Sequence, residues 1–145
     1  MDAELIFRIA NSMALAGWLA LLASPLAPRL AQAVSGLAIP LLLAVAYSGL
    51  IMAFWSSGQG GFDSLAHVAQ LFQSRQLLLA GWIHYLAFDL FVGAWIVRSA
   101  RESSVAFWAV VPCLILTFLF GPAGFLLFNA IVAAKSMPSL KGATS

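Results

Sequence analysis

The sequence predicts an all-α integral membrane protein: one domain over residues 1–145, built as a four-transmembrane-helix bundle. A short interfacial helix is expected between helices 2 and 3, and a Pro/Gly kink in helix 4. Composition is the first reason. Of the 145 residues 63% are hydrophobic and 8% charged, with a mean hydropathy of +0.99. Soluble domains run near 45–50% apolar and about 25% charged. Seven Lys/Arg and five Asp/Glu are too few to coat a soluble globule of this size. The second reason is that four stretches reach the length of about 20 mostly apolar residues that a membrane crossing needs. The third is that no strand alternation persists long enough for a barrel. A soluble enzyme, a disordered chain and a nucleic-acid binder are excluded on the same grounds.

The first span is expected over residues 5–23, stopped by Ser24-Pro25-Leu26-Ala27-Pro28-Arg29, where two prolines end helix propagation. The second, 36–55, follows Ser35-Gly36 and carries Pro40 in its first turns. The third, 77–97, ends at Arg98, Arg101 and Glu102. The fourth, 105–134, is anomalous. At 1.5 Å per residue it would be about 45 Å long, against a hydrocarbon core of about 30 Å. It also holds Pro112 and Phe120-Gly121-Pro122-Ala123-Gly124-Phe125. Two readings stand: a tilted, proline-kinked helix, or broken backbone that lines a ligand site.

Between spans two and three, Asp63 or Ser64 can cap a short helix that places Leu65, Val68 and Phe72 on one face. It serves as a connector or as a lid. The glycine run Gly58-Gln59-Gly60-Gly61 lacks the rest of a phosphate loop. The acidic start Met1-Asp2-Ala3-Glu4 reads as a retained helix, with a bacterial inner membrane as the expected address. Cys113 is the only cysteine, so no internal disulfide or Cys-pair metal motif exists. With four spans, Arg8, Arg75, Lys135 and Lys141 share the side of both termini, against Arg29, Arg98 and Arg101. That balance tips the termini only slightly towards the cytoplasm.

The third span carries the chemistry. On a helical projection Ile83, Leu86, Ala87, Leu90, Ala94 and Val97 form one apolar sector, read as lipid-facing. Trp82, Tyr85, Asp89 and Gly93 occupy one opposite flank, and His84, Phe88, Phe91 and Trp95 the other. Both flanks are read as interior. Asp89 falls near mid-membrane, where an ionised carboxylate costs a few kcal/mol. It is expected to be protonated, paired or facing water. Arg8 is too shallow to pair with it, and Tyr85, one turn earlier, is the natural hydrogen-bond neighbour. His84 lies about 140° around the helix from Asp89, so the two form no one-face metal pair, yet they can flank one cavity. Haem ligation would need a second axial ligand, and His67 falls in the loop. Thr117 lies near the Asp89 level, and Phe120 belongs to the deeper aromatics that can line a groove for a long apolar ligand.

Three blocks in order then carry a resemblance. They are Gly60-Gly61-Phe62 with Ser64-Leu65 and Leu71-Phe72; the stretch from Leu79 to Ile96 around His84-Tyr85-Leu86-Ala87-Phe88-Asp89; and Val111-Pro112-Cys113 through Thr117-Phe118-Leu119-Phe120-Gly121-Pro122. Over roughly residues 47–128 the chain resembles the abscisic-acid-deficient-4-like membrane protein family. The resemblance implies xanthophyll conversion: acid/base opening of a 5,6-epoxide end group into an allenic alcohol. Such an isomerisation needs one acid and one base and no redox cofactor. His84, Asp89 and Tyr85 are the implied catalytic groups. Trp82, Phe88, Trp95, Thr117 and Phe120 are the implied substrate contacts, with no metal. The expected partners are a carotenoid or other apolar isoprenoid, the lipid bilayer, no nucleic acid, and a second copy if the chain oligomerises. The rival readings are a non-enzymatic carotenoid-binding or assembly factor, and a small proton-coupled transporter with Asp89 as coupling acid.

Overall fold

The computed structural model describes residues 2–136, and every element in it is helical. Helix α1 (Ala3–Leu22) is capped by the Asp2 carboxylate, which accepts from the amides of Glu4 and Leu5. A turn at the two prolines leads to α2 (Pro28–Ala33), a π-helical turn (Val34–Ala38) and α3 (Ile39–Phe54), which run on as one long rod. The rod starts at Pro28, ahead of the expected 36, because proline suits a first helical position. Pro40 has no N–H for the carbonyl one turn back, and the π-turn just before it absorbs that loss. The expected interfacial helix is α4 (Leu65–Leu71), capped by Ser64. Its buried contact is Leu71, while Leu65 and Phe72 stay exposed. Helix α5 (Arg75–Glu102) then runs on through Arg98, beyond the expected 77–97.

Two contacts set the direction of α1 against α5. Arg75 pairs with Glu4 at 3.1 Å at one end, and Arg101 donates to the Ser24 carbonyl at 2.9 Å at the other. The two helices are therefore parallel. The rod runs antiparallel between them: Gln32 donates to the Ala94 carbonyl and Ser35 to that of Gly17 near its start, and Tyr47 meets His84 further along. Close approach rests on glycine. A Cβ at Gly17 would meet Leu90 at 2.5 Å, and one at Gly93 would meet Trp18 at 2.7 Å.

The expected fourth span does not form. Helix α6 (Phe107–Phe120) ends at Gly121, and α7 (Pro122–Ser136) folds back along it. Val105 ties the start of α6 to the Ala100 carbonyl, whereas Lys135 near the end of α7 donates to the Ser103 carbonyl at 3.0 Å. Both ends of the hairpin thus lie at the Ser24 end of the bundle. At 14 and 15 residues, α6 and α7 reach about 21 and 22 Å, short of a core of about 30 Å. Three helices are long and apolar enough to cross a membrane: α1, the α2–α3 rod and α5. In the seam of the hairpin a Cβ at Gly124 would collide with the Thr117 hydroxyl and the Cys113 carbonyl, so glycine there permits backbone contact.

The orientation of α5 is also the reverse of the expected one. Ile83, Leu86, Ala87, Leu90, Ala94 and Val97 are the buried core, whereas Phe88 is 58% exposed and Phe91 47%. In a bilayer the solvent is as apolar as leucine, so hydrophobicity does not mark the outside, and small residues gather where helices touch.

The fold-back moves Lys135 to the end that holds Arg29, Arg98 and Arg101, opposite Arg8 and Arg75; Lys141 lies outside the described residues. Among the described residues the positive-inside rule therefore favours the Ser24 end, rather than the N-terminus, as the cytoplasmic side. In a Cys113→Ala background, Ser103→Cys and Lys135→Cys should label with a membrane-impermeant maleimide from that side. Ser57→Cys should label from the opposite side. Labelling of Lys135→Cys together with Ser57→Cys would restore the four-span topology.

Candidate ligand groove at the hairpin tip

Ending a helix pair in mid-membrane leaves backbone carbonyls without partners, and hydrocarbon supplies none. Pro122 cannot donate to the preceding turn, so the end of α6 needs a donor from elsewhere. Tyr85 on α5 supplies it: its hydroxyl donates to the Leu119 carbonyl at 3.2 Å, with the Phe118 carbonyl at 3.5 Å. The chain then reverses through Gly121 at φ +42° and ψ −93°, a conformation costly for any residue with a Cβ.

Asp89, at the middle of α5, sits against this turn. A Cβ on Gly121 would lie 2.6 Å from its Oδ1. The start of α7 faces the carboxyl, and the partial positive charge of a helix N-terminus suits an acidic neighbour. The Tyr85 phenol also borders the carboxyl. Oδ2 of Asp89 is buried and makes no hydrogen bond among the described residues. The pivotal acid is therefore half-buried, with one oxygen uncommitted.

Because the hairpin stops at the level of Tyr85, the rest of the α1–α5 face remains uncovered. Aromatic rings line it. Trp82 stacks on Tyr85 with centroids 5.3 Å apart, and Phe7 meets Trp82 at 5.9 Å. The Trp82 indole N–H donates to Asn11 Oδ1 at 3.3 Å. Towards the Glu4 end the groove widens into a cavity of about 250 Å³ bordered by Phe7, Leu78, Trp82 and the Glu4–Arg75 pair. From Arg75 to Trp82 the groove runs about 10 Å along α5, and Asp89 lies about two turns further on, beyond the Tyr85 ring. It is a lateral, apolar groove.

Of the residues expected at one site, the fold brings together Asp89, Tyr85 and Trp82, with Phe120 next to the tip glycine and 63% exposed. It does not bring in the others. His84 faces Tyr47 of α3, with ring centroids 5.6 Å apart, and Phe88 meets His84 at 4.7 Å. Trp95 packs on Phe125 and Phe128 of α7. Thr117 is fully buried in the hairpin seam, its hydroxyl bonded to the Cys113 carbonyl at 2.8 Å. Sequence reasoning missed Phe7 as a lining residue and offered Gly121 only within the broken backbone read as lining a ligand site. The excess length of segment 105–134, halved at its Gly-Pro, was the signal for Gly121.

Gly121→Ala should destabilise the protein by about 2 kcal/mol, from positive φ and the collision with Asp89 together. It should also expose the buried Cys113 to thiol reagents in detergent. Gly49→Ala, where a Cβ meets nothing within 4 Å, is the control and should leave the melting temperature unchanged or raised.

No curated protein and no solved structure matches the chain. The ABA DEFICIENT 4-like family does match, over residues 5–128, and by that match the chain belongs to this family.

Proposed function

We propose that the protein binds a carotenoid or related apolar isoprenoid in the α1–α5 groove and isomerises an oxygenated end group beside Asp89. One observation carries this reading: a buried carboxyl oxygen without a hydrogen bond lies about two turns along α5 from an aromatic groove open to the membrane, with the Tyr85 ring between them. Family membership supports the substrate class, since the family resemblance implies xanthophyll conversion. Three apolar helices fit a membrane protein, and neither they nor the family match favour a bacterial inner membrane in particular.

The chemistry needs a single carboxyl. In its protonated form Asp89 delivers a proton to an epoxide oxygen as the ring C–O bond breaks. The proton on the adjacent polyene carbon leaves to the resulting carboxylate, and its electron pair forms the cumulated double bond. Atoms and charge balance, and no electrons are exchanged with a cofactor. Tyr85 fixes the tip that defines the site, and Phe7 and Trp82 hold the polyene. Water exclusion at this depth strengthens both proton transfers.

Protein in lipid nanodiscs, given a 5,6-epoxycarotenoid, should form an allenic isomer detectable by chromatography and absorbance. Asp89→Asn should lower the rate about 100-fold or more while the bound polyene remains. Trp82→Ala should weaken polyene binding about tenfold through lost stacking and burial. Bound polyene with turnover absent from both wild type and Asp89→Asn would mean a carrier. Substrate-driven proton movement in liposomes, abolished by Asp89→Asn, would mean a transporter.

A further inference from the structure

The other flank of α5 carries a separate cavity of about 170 Å³, whose walls include Tyr47, Trp55, Phe62, Phe72, Gly81 and His84. It is roofed by the segment between α3 and α5, and that roof is built to fit. Gly60 takes φ +104°, and a Cβ there would strike the His67 carbonyl, so the loop lies directly on α4. The Gly61 amide donates to the same carbonyl at 3.3 Å, and Asp63 holds the His67 ring at 2.7 Å. Trp55 stacks on Phe62 at 5.3 Å, and the missing side chain of Gly81 is replaced by the Phe72 ring, 3.0 Å from where a Cβ would sit.

His84, exposed at the rim of this cup, and half-buried Tyr47 are its polar walls, and neither side chain makes a hydrogen bond among the described residues. His84 lies five residues before Asp89, about 7.5 Å along the helix and so well within the hydrocarbon. Polar groups without partners at that depth are costly. An apolar cavity of about 150 Å³ accepts one benzene ring. A hydroxyl both donates and accepts, and so satisfies an imidazole and a phenol together. Phe88, packed on His84, leads to a second cavity of about 270 Å³ along α3, walled by Gly36, Pro40, Ala44 and Phe91 and almost free of polar atoms.

We infer that the His84–Tyr47 cup is a second binding site, which takes the hydroxyl-bearing ring of a cyclic isoprenoid and lays its apolar chain along α3. The choice of a carotenoid as occupant rests on the function proposed above, whereas the ring site stands on its own geometry.

The test uses the full chain in nanodiscs with ¹⁵N-labelled histidine, the His84 signals being those that His84→Phe removes. Titration with 3,3,5-trimethylcyclohexanol should shift the His84 nitrogens saturably, and 1,1,3-trimethylcyclohexane should not. Tyr47→Phe should weaken that binding about tenfold, the loss of one hydrogen bond. In the second arm, His84→Phe keeps an aromatic ring in place. It should weaken 3,3′-dihydroxy-β-carotene about tenfold and leave β-carotene unchanged. No shift with the alcohol, or an equal shift with the hydrocarbon, overturns the site. A site that takes the alcohol while the protein binds neither polyene stands, and the carotenoid reading falls instead.

Discussion

Every feature of the Asp89 face depends on one constraint: a backbone turn placed in hydrocarbon must find its hydrogen bonds inside the protein. The turn at Gly121 separates two helices that are each too short to cross, so their inner ends meet at the level of Asp89 and Tyr85. Tyr85 supplies the donor for the end of α6, and glycine supplies the conformation and the room. If the turn moved by one residue, a side chain would stand where Asp89 now touches backbone. The acid, the phenol and the Gly-Pro step are therefore a single unit, and the groove exists because that unit halts the hairpin halfway.

Much of this was written in the sequence, though in two codes that conflict. Length and proline content located the anomaly: segment 105–134 was too long for one span and broken at its centre. What they left open was the direction of the chain after the break. That direction is decided by Gly124, which lets α7 lie against Thr117 and Cys113, and by packing of Phe125 and Phe128 on Trp95. Such contacts join residues of no fixed spacing and have no periodic signature. The polar flanks of α5 were likewise visible, but the sense of inside and outside was inverted. In water the leucine-rich sector would have been the core by default. In lipid the same sector is the core because Leu90 fits over Gly17 and Ala94 lies against Gly36, a matter of size rather than polarity.

The split between His84 and Asp89 follows from the same arrangement. Their angular separation on the helix allowed either one shared cavity or two. The α2–α3 rod occupies the side of α5 that His84 faces, and the hairpin occupies the side that Asp89 faces. One helix thus presents two chemically different surfaces: a carboxyl against the hairpin tip beyond an aromatic groove, and an imidazole at the rim of a ring-sized cup. A single polar patch of the same residues would have needed the two helical neighbours on one side, leaving Leu90 and Ile83 uncovered.

On the proposed function, a half-depth hairpin would let an apolar ligand approach Asp89 from the bilayer without passing through water. Four complete spans around α5 would enclose Asp89, and a long rigid polyene would then have to thread between packed helices. With the hairpin entering from the Ser24 end, the other half of the α1–α5 face stays open to the lipid, and Phe7 and Trp82 lie along the way. In the proposed function the ligand would enter from the bilayer, and its end group would reach Asp89 beyond Tyr85. Placing the acid in the wall of a sealed bundle would give the same burial, but it would close the α1–α5 face to any ligand that comes from the bilayer.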